Sequence, residues 1–326
     1  MNKNLFENKK WYVMLFIVSC VGIFITVVFR FITPKNVVIP ENEFIKVNSD
    51  GNKSHFNNIK FSGDLPTLKN NLPLVKIQPS NTNVEYLKKR FIETHNLKPV
   101  ENIDGLWKGE NYTLSYNNQD DEYLFYSNYL PKDVVLTSRD RAITVAQNYV
   151  NEVFDQIPFT IQLDKIKKFS GLQEMEEVKT GQIAALEIPF TYSVDGVPLL
   201  IEHREKFPLT ILVNSEYQVQ KIVFQPNFFY PLPTEQQFKI LSLGEVLENI
   251  NNKQYASIIS AYEPNTGVFS LEEIVAGDLT AVQLEYRADL KNNLAYPFYH
   301  FSGEIINQDN QKIQAEIIAP AVKVAE

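Results

Sequence analysis

The pattern of hydrophobic and polar residues begins with a long apolar run near the amino terminus. Residues 11–29 contain no charged residue and no proline, and their number is close to the ~20 that a helix needs to cross a bilayer core. Lys9 and Lys10 precede the run directly, and basic residues favour the cytoplasmic side. The pattern therefore predicts a single-pass protein of the cell membrane. Its cytoplasmic tail would be residues 1–10, its transmembrane anchor residues 11–32, and its carboxyl-terminal region extracytoplasmic.

Two other interpretations of the apolar run stay open. A cleaved secretory signal usually has a shorter apolar core and a small-residue cleavage site, and neither is present here. A lipoprotein signal would acylate Cys20, but the residues after Cys20 stay apolar up to Phe29. Small residues let membrane helices approach closely, so Ser19 and Gly22 are candidate contacts with another membrane helix.

Three segments with helical periodicity follow a polar, asparagine-rich stretch at residues 33–60, which is interpreted as a linker. The predicted helices cover residues 83–94, 138–153 and 242–250. Ser138 is a suitable amino-terminal cap for the second helix. Ser242 and the glutamate three positions later form a capping-box pattern at the start of the third.

Runs with strand-like alternation follow each predicted helix, separated by turn signals such as the Asp195-Gly196 pair. The chain thus reads as a helix followed by an antiparallel β-meander, three times over. This order predicts the α+β class, with each helix packed on a sheet. The predicted modules cover residues 61–136, 137–233 and 234–326.

Composition and charge narrow the possible functions. The hydrophobic content of 44% is that of a globular protein, and the net charge of −8 is spread along the chain without a basic stripe. Nucleic acid is therefore not an expected partner. Cys20 is the only cysteine, so the sequence excludes an intramolecular disulfide and any site that needs two thiolates.

The inventory of catalytic groups is small. No two histidines have the spacing of a zinc site, and the sequence contains neither a nucleophile elbow nor a glycine-rich phosphate loop. The acidic clusters are interpreted as solvated turns. The sequence therefore predicts no catalytic residue, no metal, no cofactor and no enzyme activity. The histidines are His55, His95, His203 and His300, and the acidic clusters lie at residues 120–122, 174–177 and 272–273.

Two stretches rich in aromatic residues and proline are candidates for partner binding. Phe228, Phe229 and Tyr230 are consecutive, so they cannot all point into one core from a strand. Exposed aromatic residues often mark an interface. Tyr296 lies in the second stretch, at residues 294–301, and is a fourth candidate. The alternative is that these side chains pack between modules.

The last eighty residues carry a family resemblance. The segments SLGEVL at 242–247, VQLEY at 282–286, LAYPFYHFSG at 294–303 and APAV at 319–322 resemble the last module of YycH/YycI-type regulatory proteins. The predicted helix at residues 138–153, with its following strands, is similar to the PepSY-like modules of that group.

The resemblance implies repeated PepSY-like modules behind a single-pass anchor. Such relatives restrain a membrane sensor kinase, so the hypothesis is a non-enzymatic regulatory protein that binds another envelope or membrane protein, with a sensor kinase as one candidate. Two alternatives remain: a cell-envelope glycan hydrolase with a carboxylate pair, and a structural envelope assembly factor. No functional residue is carried over from the family, and the oligomeric state stays open.

Overall fold

The structure is a computed structural model, and it describes most of the chain after the first fifty residues. The predicted anchor at residues 11–32, with Ser19 and Gly22, lies outside the described residues. None of the helices in the described ranges is long and apolar enough to cross a membrane. This finding contradicts the predicted single-pass, extracytoplasmic localisation. The described residues are 39, 54–65, 67, 69–80, 84–129, 134–155, 157–172, 175–178, 181–201, 207–262 and 269–324.

The described part contains three α-helices and one short 3-10 helix, and all other regular elements are strands. The helices are α1 (Val84–Thr94), α2 (Arg139–Val153), the 3-10 helix (Leu163–Lys165) and α3 (Leu243–Lys253). The strands are β1 (His55–Phe56), β2 (Ile59–Phe61), β3 (Asn71–Pro79), β4 (Lys98–Pro99), β5 (Leu106–Lys108), β6 (Tyr112–Asn117), β7 (Glu122–Ser127), β8 (Phe159–Ile161), β9 (Lys167–Phe169), β10 (Ala185–Val194), β11 (Val197–Ile201), β12 (Leu209–Asn214), β13 (Val219–Phe224), β14 (Phe229–Lys239), β15 (Ser257–Tyr262), β16 (Glu273–Asp289), β17 (Leu294–Asn307) and β18 (Lys312–Pro320).

The predicted α+β class of repeated helix-plus-meander modules is wrong, because the described fold is mostly β. The 18 strands join into one hydrogen-bonded network. Strands of different predicted modules pair directly: β7 with β13, β3 with β14, and β11 with β16. Local periodicity cannot reveal such long-range pairing. The module boundaries themselves stay a prediction.

Strand β16 organises the carboxyl-terminal part of the sheet. It has 17 residues and pairs with β17 in antiparallel orientation over its whole length, and β17 pairs in turn with β18. On its other edge β16 runs parallel to β1, β2 and β11. These parallel ladders were not expected from a pattern of antiparallel meanders. Two of the strands concerned, β1 and β2, begin within the predicted linker.

Two large hydrophobic clusters stabilise the sheet. In the first, Phe224 of β13 is fully buried and its ring centroid lies 5.5 Å from that of Phe91 in α1. The ring centroid of Phe154, directly after α2, lies 5.9 Å from that of Phe224 as well. Helices α1 and α2 therefore share one core although they were assigned to different modules. In the second cluster, Val246 and Ile250 of α3 pack on β17 and β18.

Both predicted helix caps are confirmed. The Ser138 hydroxyl accepts a hydrogen bond from the backbone N–H of Arg141. At α3 the Ser242 hydroxyl accepts from the backbone N–H of Glu245, while the Glu245 carboxylate accepts from the backbone N–H of Ser242 at 2.8 Å. These reciprocal bonds satisfy donors that a helix start leaves unpaired.

Replacing Ser242 by alanine is expected to lower the free energy of unfolding by about 1 kcal/mol, because α3 loses the acceptor of its capping box. Urea titration of the full chain measures the change. The matched control is S62A, because Ser62 is exposed and makes a described hydrogen bond only through its backbone. Equal stability of the two variants would show that the cap contributes nothing.

Candidate functional site

The structure places three of the four predicted partner-binding aromatics in the interior. Phe228 and Phe229 are only 5% and 3% exposed, and Tyr296 is 3% exposed. The ring of Phe229 stacks on Tyr192 with centroids 4.0 Å apart. Only Tyr230 is partly exposed. For the other three, the burial agrees with the alternative that they pack in the interior. Partner binding stays a prediction, and of the four side chains only Tyr230 could contact a partner without a rearrangement.

A line of alternating charges crosses the last three strands. Glu285 and Arg287 lie two residues apart on β16 and therefore on the same face. His300 on β17 is on that face too, because it pairs directly with Gln283. Glu316 on β18 joins them through its pairing with the neighbouring Ser302. The regular alternation of three adjacent strands thus brings the charged groups together.

The contacts within this line are short and continuous. Arg287 Nε donates to Glu285 Oε1 at 2.6 Å. The other Glu285 oxygen lies 3.0 Å from His300 Nδ1, and His300 Nε2 lies 3.1 Å from Glu316 Oε2. Lys165 of the 3-10 helix donates to Glu316 Oε1 at 3.2 Å. We call these five residues the ion-pair chain.

Burial and charge act in opposite directions on the pKa values of the ion-pair chain. Burial alone would raise the pKa of Glu285, but the charges of Arg287 and His300 and their hydrogen bonds lower it to about 2. Burial alone would lower the pKa of His300, but the charge of Glu285 and the hydrogen bonds to Glu285 and Glu316 raise it to about 9. Both groups are therefore ionised at neutral pH.

The ion-pair chain is built for structure rather than for proton transfer. A catalytic histidine needs a ring nitrogen that can accept a proton near neutral pH. Both nitrogens of His300 face carboxylates, so the ring is held as an imidazolium that donates to each. The ion-pair chain also ties the 3-10 helix to the sheet through the ion pair of Lys165 and Glu316.

An open groove of about 530 Å³ lies beside the ion-pair chain. Its floor is the outer face of the sheet, since Pro189, Thr210 and Val223 pair with one another across β10, β12 and β13. Their neighbours in sequence, such as Ile211, point into the core. The ionisable residues of the lining are Glu122, Asp164, Lys165, Lys167, Glu177, Glu187 and Glu316. We call this cavity the acidic groove, because five carboxylates face two lysines.

The acidic groove and the ion-pair chain share a wall. Asp164, Lys165 and Glu316 also line a smaller cavity of about 160 Å³ together with Gln283, His300 and Ser302. The Lys165–Glu316 ion pair therefore stands between the two spaces. Within the described residues, no group of three or more His, Cys, Asp or Glu side chains could hold a metal ion.

Sequence reasoning missed most of this site. Glu122 and Glu177 belong to the clusters that were interpreted as solvated turns, and yet both line the groove. No role was predicted for His300. One signal was available, because the polar alternation of Gln283, Glu285 and Arg287 in an otherwise apolar strand marks a polar face. Among the other histidines, His203 lies outside the described residues.

The fold and the site together describe a mostly β protein with a structural ion-pair chain and an open acidic groove. No protein-family model matches the chain, and no curated protein matches it. A solved structure that matches is that of YycH from Bacillus subtilis, with 10% identity and a TM-score of 0.39. The match covers 78% of this chain and 53% of the YycH chain, so this chain spans about half the length of that protein. The likeness in fold is distant.

Proposed function

We propose that this chain is a non-catalytic regulatory protein that binds a basic, extended segment of another protein in the acidic groove. The observation that carries the proposal is the groove itself, with five carboxylates and two lysines around an open space of about 530 Å³. Such a surface attracts positive charge. Its floor is the outer face of β10, β12 and β13, and the extended segment would lie along this face.

The ion-pair chain supports this role by fixing one wall of the groove. Glu316 is held by Lys165 on one oxygen and by His300 on the other, so its carboxylate cannot turn away freely. A wall that is already fixed loses less side-chain entropy when a partner binds. The partner would therefore meet a preorganised surface on this side.

The glycan hydrolase alternative fits the buried carboxyl group poorly. Such an enzyme needs one carboxylic acid that stays protonated near neutral pH to donate its proton to the leaving group. Glu285 is fully buried, but its pKa is lowered to about 2 by Arg287 and His300 despite its burial. It is therefore ionised where an acid would be required. The carboxylates of the groove provide the test of this alternative.

The regulatory part of the proposal rests on the resemblance of residues 242–247 and 294–303 to YycH/YycI-type proteins. That resemblance points to a membrane protein such as a sensor kinase as the target. A structural assembly factor would use the same groove for a partner without changing the partner's activity.

Neutralising two carboxylates of the groove is expected to weaken the binding of a basic peptide about tenfold at low ionic strength, since exposed charge pairs contribute roughly 0.2–1 kcal/mol each. The probe is a fluorescein-labelled decapeptide of alternating lysine and valine, measured by fluorescence anisotropy. The variant is E122Q/E187Q. The control is E93Q/E248Q, which changes the net charge equally at exposed positions outside the groove.

Equal affinity of both double variants for the peptide would show non-specific attraction and contradict the proposal. Binding to the groove should also weaken with added salt, because salt screens exposed charges. The same variants test the hydrolase alternative. Release of reducing ends from cell-wall glycan by the unmodified chain, lost in E122Q/E187Q alone, would favour an enzyme.

A further inference from the structure

A second large cavity, of about 560 Å³, lies between the end of α1 and the turn that joins β5 to β6. It shares no lining residue with the acidic groove. We call it the lysine pocket. Its lining residues are Thr94, His95, Asn96, Lys98, Lys108, Gly109, Glu110, Asn111 and Tyr112.

Two like charges stand directly opposite each other in this pocket. Lys98 of β4 and Lys108 of β5 are register partners in an antiparallel ladder, so their side chains leave the same face. Both are exposed, and neither forms an ion pair with another described residue. Like charges at directly opposed positions destabilise a sheet. An anion between the two ammonium groups would remove that repulsion.

His95 adds an uncharged polar ring to the same wall. Its ring centroid lies 4.4 Å from that of Tyr112 and 4.9 Å from that of Phe125. Burial lowers the pKa of His95, which favours the neutral ring with one N–H donor and one acceptor nitrogen. Within the described residues neither ring nitrogen makes a hydrogen bond, so a ligand in the pocket can use them.

The pocket is rigid on its turn side. The Asn128 side-chain amide donates to the carbonyl oxygens of Gly109 and Glu110, each at 3.2 Å. The Asn128 backbone N–H donates to the carbonyl of Asn111 at 2.7 Å. A Cβ atom on Gly109 would come within 3.0 Å of the His95 carbonyl oxygen, so glycine allows the turn to pack closely on the end of α1. The distance between the two walls is therefore fixed before a ligand arrives.

We propose that the lysine pocket binds a phosphate group, held between Lys98 and Lys108 with His95 as an additional donor. Two lysine charges match a phosphate dianion, and lysine binds phosphate as a point charge, whereas paired carboxylate recognition favours arginine. Glu110 also lines the pocket and disfavours ligands with several adjacent anions. A single phosphate, free or at the head of a lipid, satisfies both conditions.

The test uses the full chain with two phosphate sources. Inorganic phosphate is titrated while the NMR signals of the His95 ring are followed, and sedimentation measures binding to phosphatidylcholine vesicles with and without phosphatidic acid. The variants K98Q and K108Q are each expected to weaken phosphate binding about tenfold. The control K89Q removes the same charge from an exposed lysine of α1 that lies outside the pocket.

If K98Q and K108Q weaken the binding of inorganic phosphate and K89Q does not, the result supports a phosphate site in the lysine pocket. If this pattern is seen only with vesicles that contain phosphatidic acid, the site binds a lipid headgroup. An unperturbed His95 ring with both sources overturns the proposal, as does equal weakening by all three variants. Acetate binding as tightly as phosphate overturns the choice of phosphate. None of these variants alters the acidic groove, so this result is independent of the basic-peptide experiment.

Discussion

The variant E285Q is expected to unfold with a free energy lower by roughly 3–5 kcal/mol, the usual cost of removing one partner from a buried ion pair. Glu285 and Arg287 are both fully buried, so the variant removes the Glu285 carboxylate from beside a buried guanidinium. His300 loses the acceptor for Nδ1 in the same step. Urea unfolding at pH 6.5 measures the change.

The control for this variant is E304Q. Glu304 also accepts from a lysine, Lys312, at 2.8 Å, but its side chain is 37% exposed. Exposed pairs contribute between 0 and ~1 kcal/mol, so the control should change little. If E285Q proved as stable as E304Q, the ion-pair chain would not stabilise the sheet.

Stability is expected to fall by roughly 3 kcal/mol between pH 6.5 and pH 9, at up to ~1.4 kcal/mol per pH unit. The pKa of His300 is raised from 6.5 to about 9 in the folded chain by the charge of Glu285 and the hydrogen bonds to Glu285 and Glu316, which outweigh its burial. When the pKa of a histidine is higher in the folded chain than in the unfolded chain, its contribution to stability is complete at pH values below the unfolded-state pKa. That contribution is lost as the pH rises through the folded-state pKa. The loss therefore falls on the alkaline side.

At acidic pH, stability changes with pH in the opposite direction. Because the pKa of Glu285 is lowered from 4.5 to about 2, its contribution is present above pH 4.5 and is lost as the pH falls toward 2. The two shifts describe one shared contact, so their energies are not added. Stability from the ion-pair chain is greatest between pH 4.5 and 6.5.

The variant H300Q isolates the alkaline effect. Its stability should be lower than that of the unmodified chain at pH 6.5, and the difference should shrink toward pH 9. Denaturant midpoints at half-unit pH steps, recorded for both proteins, give the two curves. Parallel curves across this range would show that another group titrates instead of His300.

The helices could be predicted from the sequence because their signals are local. Ser138 and Ser242 cap their helices through contacts three residues away, and a window of a dozen residues contains the whole apolar stripe. Short-range interactions of this kind are visible without any knowledge of the fold. The positions of α2 and α3 followed from them.

The sheet could not be predicted in the same way, because its pairings join distant segments. Phe125 of β7 is a register partner of Ile222 in β13, and nothing in either segment identifies the other. Alternation gives the strands but not their neighbours. The strands that follow each of the three predicted helices were therefore assigned to separate meanders, although they form one hydrogen-bonded network.

The site was missed for the same reason. Glu122 begins β7 directly after a turn, and Glu177 lies outside the named strands, so each alone has the pattern of a solvated charge. The fold brings them to one groove with Glu316. The ion-pair chain likewise needs β16, β17 and β18 side by side before His300 meets its two carboxylates.

The parallel ladders at β16 set an order for biosynthesis. Strands β1 and β2 emerge early from the ribosome, but their partners in β16 lie near the end of the chain. A further distant contact joins β1 to the residue after α3: the backbone N–H of Phe56 donates to the side chain of Gln254, 198 residues later. Nascent chains that end before β16 hold these first strands with open edges. The parallel ladders of β1 and β2 can therefore form only after β16 has been synthesised, and until then their exposed edges favour aggregation.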